Sequence, residues 1–178
     1  MGNKPRAATI NSYKDTHGKI YFEMVENGSK TNTLSFDKNK DKMKKSENYD
    51  LKFTLENHND LKLEFLQDKV QVMWVAKGTK TAPPACPPSH VSDPEFTVTS
   101  VTASTLDVTN TDLDECQYKF VLNFIDTGNN NKAEQFDPIY DNKNGGYQKM
   151  AISNAVIIGG LAVAGALLVG MCAMGRFG

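Results

Sequence analysis

The chain has 178 residues, with 20 Lys and Arg against 21 Asp and Glu, three Cys and a mean hydropathy of −0.46. Such totals describe one near-neutral globular domain, since about 150 residues per domain is usual. They leave no strong positive field for a nucleic-acid backbone, so no nucleic-acid partner is expected, and the Cys density is far below that of a disulfide scaffold.

The totals hide a split. Residues 1–150 carry 19 Lys and Arg against 21 acids, a net −2, whereas Ala151 to Gly175 contains no charged residue. The sequence therefore divides into a leader (1–16), a β-sandwich domain (17–144), a juxtamembrane linker (145–150), a transmembrane helix (151–175) and a short tail (176–178).

The first ten residues, MGNKPRAATI, lack the apolar stretch of a secretory signal, and residues 1–16 read as a flexible leader. Arg6 stands where a myristoylation motif after Gly2 takes Ser or Thr.

From Lys19 to Ile125 apolar and polar residues alternate at period two, the mark of strands with one face on a core. Strands are expected at Ile20–Val25, Thr33–Phe36, Val70–Val75, Phe96–Val101, Thr105–Thr109 and Tyr118–Ile125, with a last one near Phe136–Tyr140. Tyr49, Leu51, Phe53 and Leu55 form another, and Leu61, Leu63 and Phe65 answer them. The turn formers Asn57, His58, Asn59 and Asp60 between these two runs predict a β-hairpin. About nine short strands without an amphipathic helix define an all-β fold, a single immunoglobulin-like or jelly-roll-type β-sandwich. Trp74, on one strand face with Val70 and Val72, is expected to fill the inter-sheet core.

The breaks fall between strands. Asp37–Lys45 (DKNKDKMKK) reads as a solvated loop able to touch anionic lipid. Pro83, Pro84, Pro87 and Pro88 exclude a central strand and suggest a crossover between sheets.

Candidate chemistry is sparse. Cys86 and Cys116 are the one pair outside the tail able to form a disulfide. Cys86 and His90 enclose three residues, a spacing from which thiolate and imidazole converge on zinc or copper, but only Cys116 and His58 remain to complete four ligands. Asp107, Asp112, Asp114 and Glu115 crowd a turn without the spacing of a calcium loop. His17 falls where the leader meets the domain, and no nucleophile elbow or phosphate-binding glycine loop occurs. No catalytic residue, metal or cofactor is expected, and the protein is not read as an enzyme.

The tail, AISNAVIIGGLAVAGALLVGMCAMG, has 25 residues, and a helix of about 20 spans a bilayer core. Ala155, Gly159, Ala162, Ala166, Gly170 and Ala173 recur at spacings of three or four, a small-residue stripe suited to helix packing in lipid. Lys143 and Lys149 precede the span and Arg176 follows it, which places the domain on the cytoplasmic side of a C-terminal tail anchor. The expected function is that of a non-catalytic single-pass membrane protein. It would be an accessory or structural subunit whose partners are membrane lipid and other membrane subunits, or a second copy, met through the stripe. The alternative is a membrane-anchored ligand- or peptide-binding module that uses exposed strand edges, and a third reading is a metal-dependent redox protein acting through Cys86 and His90.

Overall fold

The backbone follows the alternation, since a strand whose every second residue is apolar gains most by laying that face on another sheet. The computed structural model describes residues 3–84, 92–142 and 158–161. Sheet A is built from β1 (Lys4–Lys14), β2 (Ile20–Glu26), β3 (Ser29–Thr31), β5 (Tyr49–Asn57), β8 (Phe96–Val101) and β9 (Thr105–Asn110). Its order is β3-β2-β1-β5-β9-β8, antiparallel throughout except for the parallel pair β1 and β5.

Sheet B is organised on β10 (Gln117–Asp126). One edge of β10 takes β6 (Leu63–Phe65) and β7 (Met73–Lys77) in succession, and the other takes β11 (Lys132–Phe136) and β12 (Ile139–Asn142). β4 (Thr33–Phe36) lies parallel to β12. Among the described residues there is no α-helix, and no helix long and apolar enough to cross a membrane.

The core lies between the sheets. Ile10, Phe22, Met24 and Phe53 from sheet A meet Leu34, Phe36, Phe65, Phe120, Leu122 and Phe124 from sheet B. Phe124 stacks on Phe22 at 5.1 Å between ring centroids and tilts against Phe65 at 4.9 Å, so one ring joins both layers.

Several sequence expectations are corrected. Residues 4–14 are not a flexible leader but β1, which sits between β2 and β5 in sheet A. Its alternation was faint because the inward positions include Ala8 and Ser12, the latter held by a hydrogen bond from its hydroxyl to the Asn57 side-chain oxygen (2.8 Å). His17 falls in the β1–β2 turn, where the Asp15 carboxylate accepts the backbone N–H groups of His17 and Lys19 and the Tyr21 hydroxyl.

The expected hairpin of Tyr49–Leu55 with Leu61–Phe65 does not form. β5 pairs with β1 and β9 in sheet A, whereas β6 pairs with β10 in sheet B. The turn between them is an arch from one sheet to the other, fixed by the Asn57 side chain, which donates to Leu63 C=O and accepts from Leu63 N–H. Asn59 and Asp60 both adopt positive φ in it. Alternation alone could not separate the cases, because strands facing each other across a core carry the same pattern as strands side by side.

The strand expected at Val70–Val75 begins at Met73, and the one near Phe136–Tyr140 is two strands, β11 and β12, broken at Asp137 and Pro138. Trp74 is not in the inter-sheet core: Met73 and Val75 face inward with Leu122 and Phe120, and Trp74 points outward beside Val121. The Pro-rich segment does connect the two sheets, since β7 precedes it in sheet B and β8 follows it in sheet A.

In the apolar tail, Ile158–Leu161 form strand β13, antiparallel to β11 with Ile158 opposite Gln135 and Leu161 opposite Ala133. The Gly159-Gly160 pair has low helix propensity, and β11 otherwise offers an unpaired edge. The rest of the expected helix, with Ala155, Ala162, Ala166, Gly170 and Ala173, lies outside the described residues.

Candidate functional site

Charged groups concentrate at the end of the sandwich where the Asp37–Asn48 loop leaves β4 and returns to β5. The loop is docked rather than free. Met43 packs on the core, its N–H donates to Lys38 C=O (2.8 Å), and Asp37 caps the first turn by accepting Lys40 N–H. Lys38, 4% exposed, donates from its ammonium to the carbonyls of Lys45 (3.1 Å) and Thr111, tying the loop to the β9–β10 connection.

Two carboxyls share this end. Asp112 is 1% exposed, and its pKa is pushed up to about 7 by burial, opposed chiefly by the charge of Lys38. Glu95 accepts the backbone N–H groups of Leu113 (3.2 Å) and Asp114 (2.7 Å), and burial moves it upward as well. Burial shifts Lys38 downward, against the opposing pull of Asp112 and Glu95. Next to this group the Tyr49 hydroxyl donates to Asp41 (2.9 Å) and accepts Asp37 N–H (3.1 Å), while Asp41 pairs with Lys4 at 2.7 Å.

The Asp112 shift has a sign that can be measured. Between about pH 4, where an unfolded carboxyl titrates, and about pH 7, the folded state holds a proton the unfolded state has released. The contribution of this group to stability therefore falls as pH rises through that window. Asp112→Asn, which cannot titrate, is expected to gain stability relative to the parent from pH 5 to pH 8 when urea midpoints are compared. A difference independent of pH would refute the assignment.

Two clefts adjoin the charged end. One, of about 540 Å3, is lined by Lys4, Arg6 and Lys40 together with Glu26, Asp37 and Asp41. Arg6 is already engaged: its guanidinium pairs with Glu26, donates to Ser35 C=O (2.9 Å) and lies over the Phe36 ring at 4.9 Å. The other, of about 580 Å3, is an open depression on the outer face of sheet A, bordered by Pro5, Ala7, Asp50, Lys52, Thr99, Asp107 and Thr109. Pro5 and Ala7 leave this space because their side chains are shorter than those of Asp50, Lys52 and Asp107 around them.

Strand edges carry guards against pairing with another chain. At Lys4–Ala7, β1 has β5 on one side while β2 reaches only Ala8 on the other. Lys4 N–H donates to Asn48 C=O on the β5 side, so the next residue, Pro5, presents its nitrogen to the open side, where it has no hydrogen to donate. On β8 the Lys69 ammonium occupies Thr99 C=O, and the register slips between Val98 and Ser100. β3 has three residues.

The acidic turn singled out in the sequence is dispersed by the fold. Asp112 turns inward, Asp114 pairs with Lys77, Glu115 pairs with Lys80 at 2.6 Å, and Asp107 lies on β9. His58 stacks on Tyr13 at 4.6 Å with Asn11 at 3.1 Å from its Nε2. Cys116 is half-buried with its thiol pushed up by burial. Cys86 and His90 lie outside the described residues, so the expected disulfide does too. Among the described residues no three His, Cys, Asp or Glu side chains gather as metal ligands.

Glu95 has no signal in the sequence, while Asp112 reads there as one acid of a crowded turn and Lys38 as one lysine of a solvated loop, because nothing local marks any of the three as buried. One lysine of the DKNKDKMKK run is buried, and the one available cue was Met43, an apolar residue inside it. No protein-family model and no curated protein matches the chain.

Proposed function

We propose that the chain is a non-catalytic single-pass membrane protein, a structural or accessory subunit whose immunoglobulin-like or jelly-roll-type sandwich caps an assembly from the cytoplasmic side. The observation that supports it is the pairing of a 25-residue uncharged run, carrying one small-residue stripe, with a polar domain. The charged clusters of that domain have a local task in holding its own loops. In lipid, small residues let helix backbones approach closely, and the stripe would meet a partner subunit or a second copy.

Gly159→Leu, Ala162→Leu and Ala166→Leu combined are expected to cut co-purification of partner subunits in mild detergent at least tenfold, about 1.4 kcal/mol, since leucine at all three positions blocks close approach of the helix backbones. Undiminished co-purification would overturn the reading.

A second reading, a membrane-anchored binding module, is favoured by the depression across β1, β5, β9 and β8. Its occupant would contact side chains on the face of sheet A, because the edges of that sheet are guarded at β1, β8 and β3. Lys52→Glu separates the two readings: it should abolish capture of such an occupant and leave stripe-dependent assembly intact.

A further inference from the structure

The Asp37–Asn48 loop sits at the end of the sandwich from which the chain leaves for its apolar run. β12 runs parallel to β4, so Asn142 lies beside Phe36, and the chain departs from sheet B where the loop begins. The starts of β1 and β5 and the β9–β10 connection share that end, joined by Lys4 N–H on Asn48 C=O and by Lys38 on Thr111 C=O. Between Asn142 and the uncharged run from Ala151 to Gly175 stand the eight residues 143–150. Fully extended they reach about 28 Å, so the loop stays within that distance of wherever the run is held.

The surface at this end suits an anionic bilayer. Three of its acids already hold lysines: Asp41 pairs with Lys4, Asp114 with Lys77 and Glu115 with Lys80. Glu95 and Asp112 are buried, while Asp37, Glu47 and Asp93 accept nearby backbone N–H groups. Lys40, Lys42 and Lys45 are exposed, and among the described residues none of the three makes an ion pair. Leu113, on the connection that Lys38 ties to the loop, is 63% exposed.

We propose that this end of the sandwich docks on anionic lipid headgroups, with Lys40, Lys42 and Lys45 at the phosphates and Leu113 at the acyl boundary.

Charge and connectivity both select lipid as the occupant. The cytoplasmic leaflet is negatively charged, and each lysine brought to it strengthens binding about fivefold. A few such contacts are weak in free solution, but a short tether supplies a high local concentration of surface. The acyl boundary takes an apolar side chain such as Leu113, to which a purely polar anionic partner offers nothing.

This deepens the proposed function and rests on it in one respect, that the run 151–175 is the anchor. With the run in lipid, Ile158–Leu161 give up the edge of β11, while β12 keeps both its neighbours, β10 and β4, and with them the position of its exit.

Amide exchange of the full chain on vesicles reads the docking. Exchange across residues 39–46 should slow roughly tenfold on phosphatidylcholine vesicles containing phosphatidylserine, relative to phosphatidylcholine alone. Lys40→Glu with Lys45→Glu should abolish that difference, and Leu113→Ser should reduce it. Lys14→Glu with Lys62→Glu, exposed at the opposite end of the sandwich and equal in charge change, should leave it intact. All five side chains are exposed, so the far-ultraviolet dichroism of the sandwich should be unchanged in every variant. Slowing that survives Lys40→Glu with Lys45→Glu overturns the proposal, and slowing in lipid-free buffer that grows with protein concentration assigns the surface to a second copy and overturns it also.

Flotation on phosphatidylcholine alone reports the anchor separately. Flotation there without any further slowing on phosphatidylserine overturns docking and leaves the anchor standing. Flotation and slowing confined to phosphatidylserine vesicles, and lost in Lys40→Glu with Lys45→Glu, support docking and remove the anchor. Flotation on neither overturns both.

Discussion

Lys38→Met is expected to destabilise the fold by about 3–5 kcal/mol, read as a fall in the urea midpoint at neutral pH, the usual cost of deleting one partner from a buried charged group. The methionine fills much of the space but withdraws the donor that holds Lys45 C=O and Thr111 C=O together. It also removes the ammonium whose charge opposes the effect of burial on Asp112. The Asp37–Asn48 loop should loosen with it, seen as faster amide exchange at Met43, whose N–H bonds to Lys38 C=O. Combining Lys38→Met with Asp112→Asn should recover part of the loss, because a neutral amide no longer needs a counter-charge. Additive losses would show that lysine and aspartate act separately.

Phe124→Ala is expected to cost about 3–5 kcal/mol, in the range for deleting a buried aromatic ring. Phe124 touches both layers, stacking on Phe22 of sheet A and packing on Phe65 of its own sheet, so the sheets cannot close over the void without losing one of those contacts. Val70→Ala, at a side chain 65% exposed, is the matched control and should lie within about 0.5 kcal/mol of the parent. Since small domains hold about 5–15 kcal/mol in total, Phe124→Ala leaves a protein near its folding threshold.

Strand positions with large apolar residues were readable in the sequence: Ile20, Phe22 and Met24 on β2, and Tyr49, Leu51, Phe53 and Leu55 on β5, all turn inward as alternation requires. β1 was not readable, because its inward face is filled by Ala8, Ile10 and Ser12, too small and too polar to stand out. Nor was the partner of any strand, as the arch at Asn57 shows. Trp74 was placed on the wrong face because the excursion at 66–72 breaks the count of two, and a single slip reverses every side chain after it. Asp112 and Lys38 are far apart in sequence and meet through the packing of a loop against a strand connection, which no spacing rule encodes. The guards were partly legible: Pro5 in a strand declares an edge, though only once the strand itself is known.

The Pro-rich passage between β7 and β8 bears on how the molecule is assembled. Residues up to Pro84 supply β1, β2, β3 and β5 to sheet A and β4, β6 and β7 to sheet B, while residues from Ser92 onward supply β8 and β9 to the first and β10, β11 and β12 to the second. Neither portion owns a complete layer, so the two are halves of a single cooperative unit and each is the template on which the other folds. Because β10 lies between β7 and β11, the earlier portion waits as unpaired edges until the later one has been synthesised. A peptide bond cut within that passage would leave the two pieces gripping each other through both sheets.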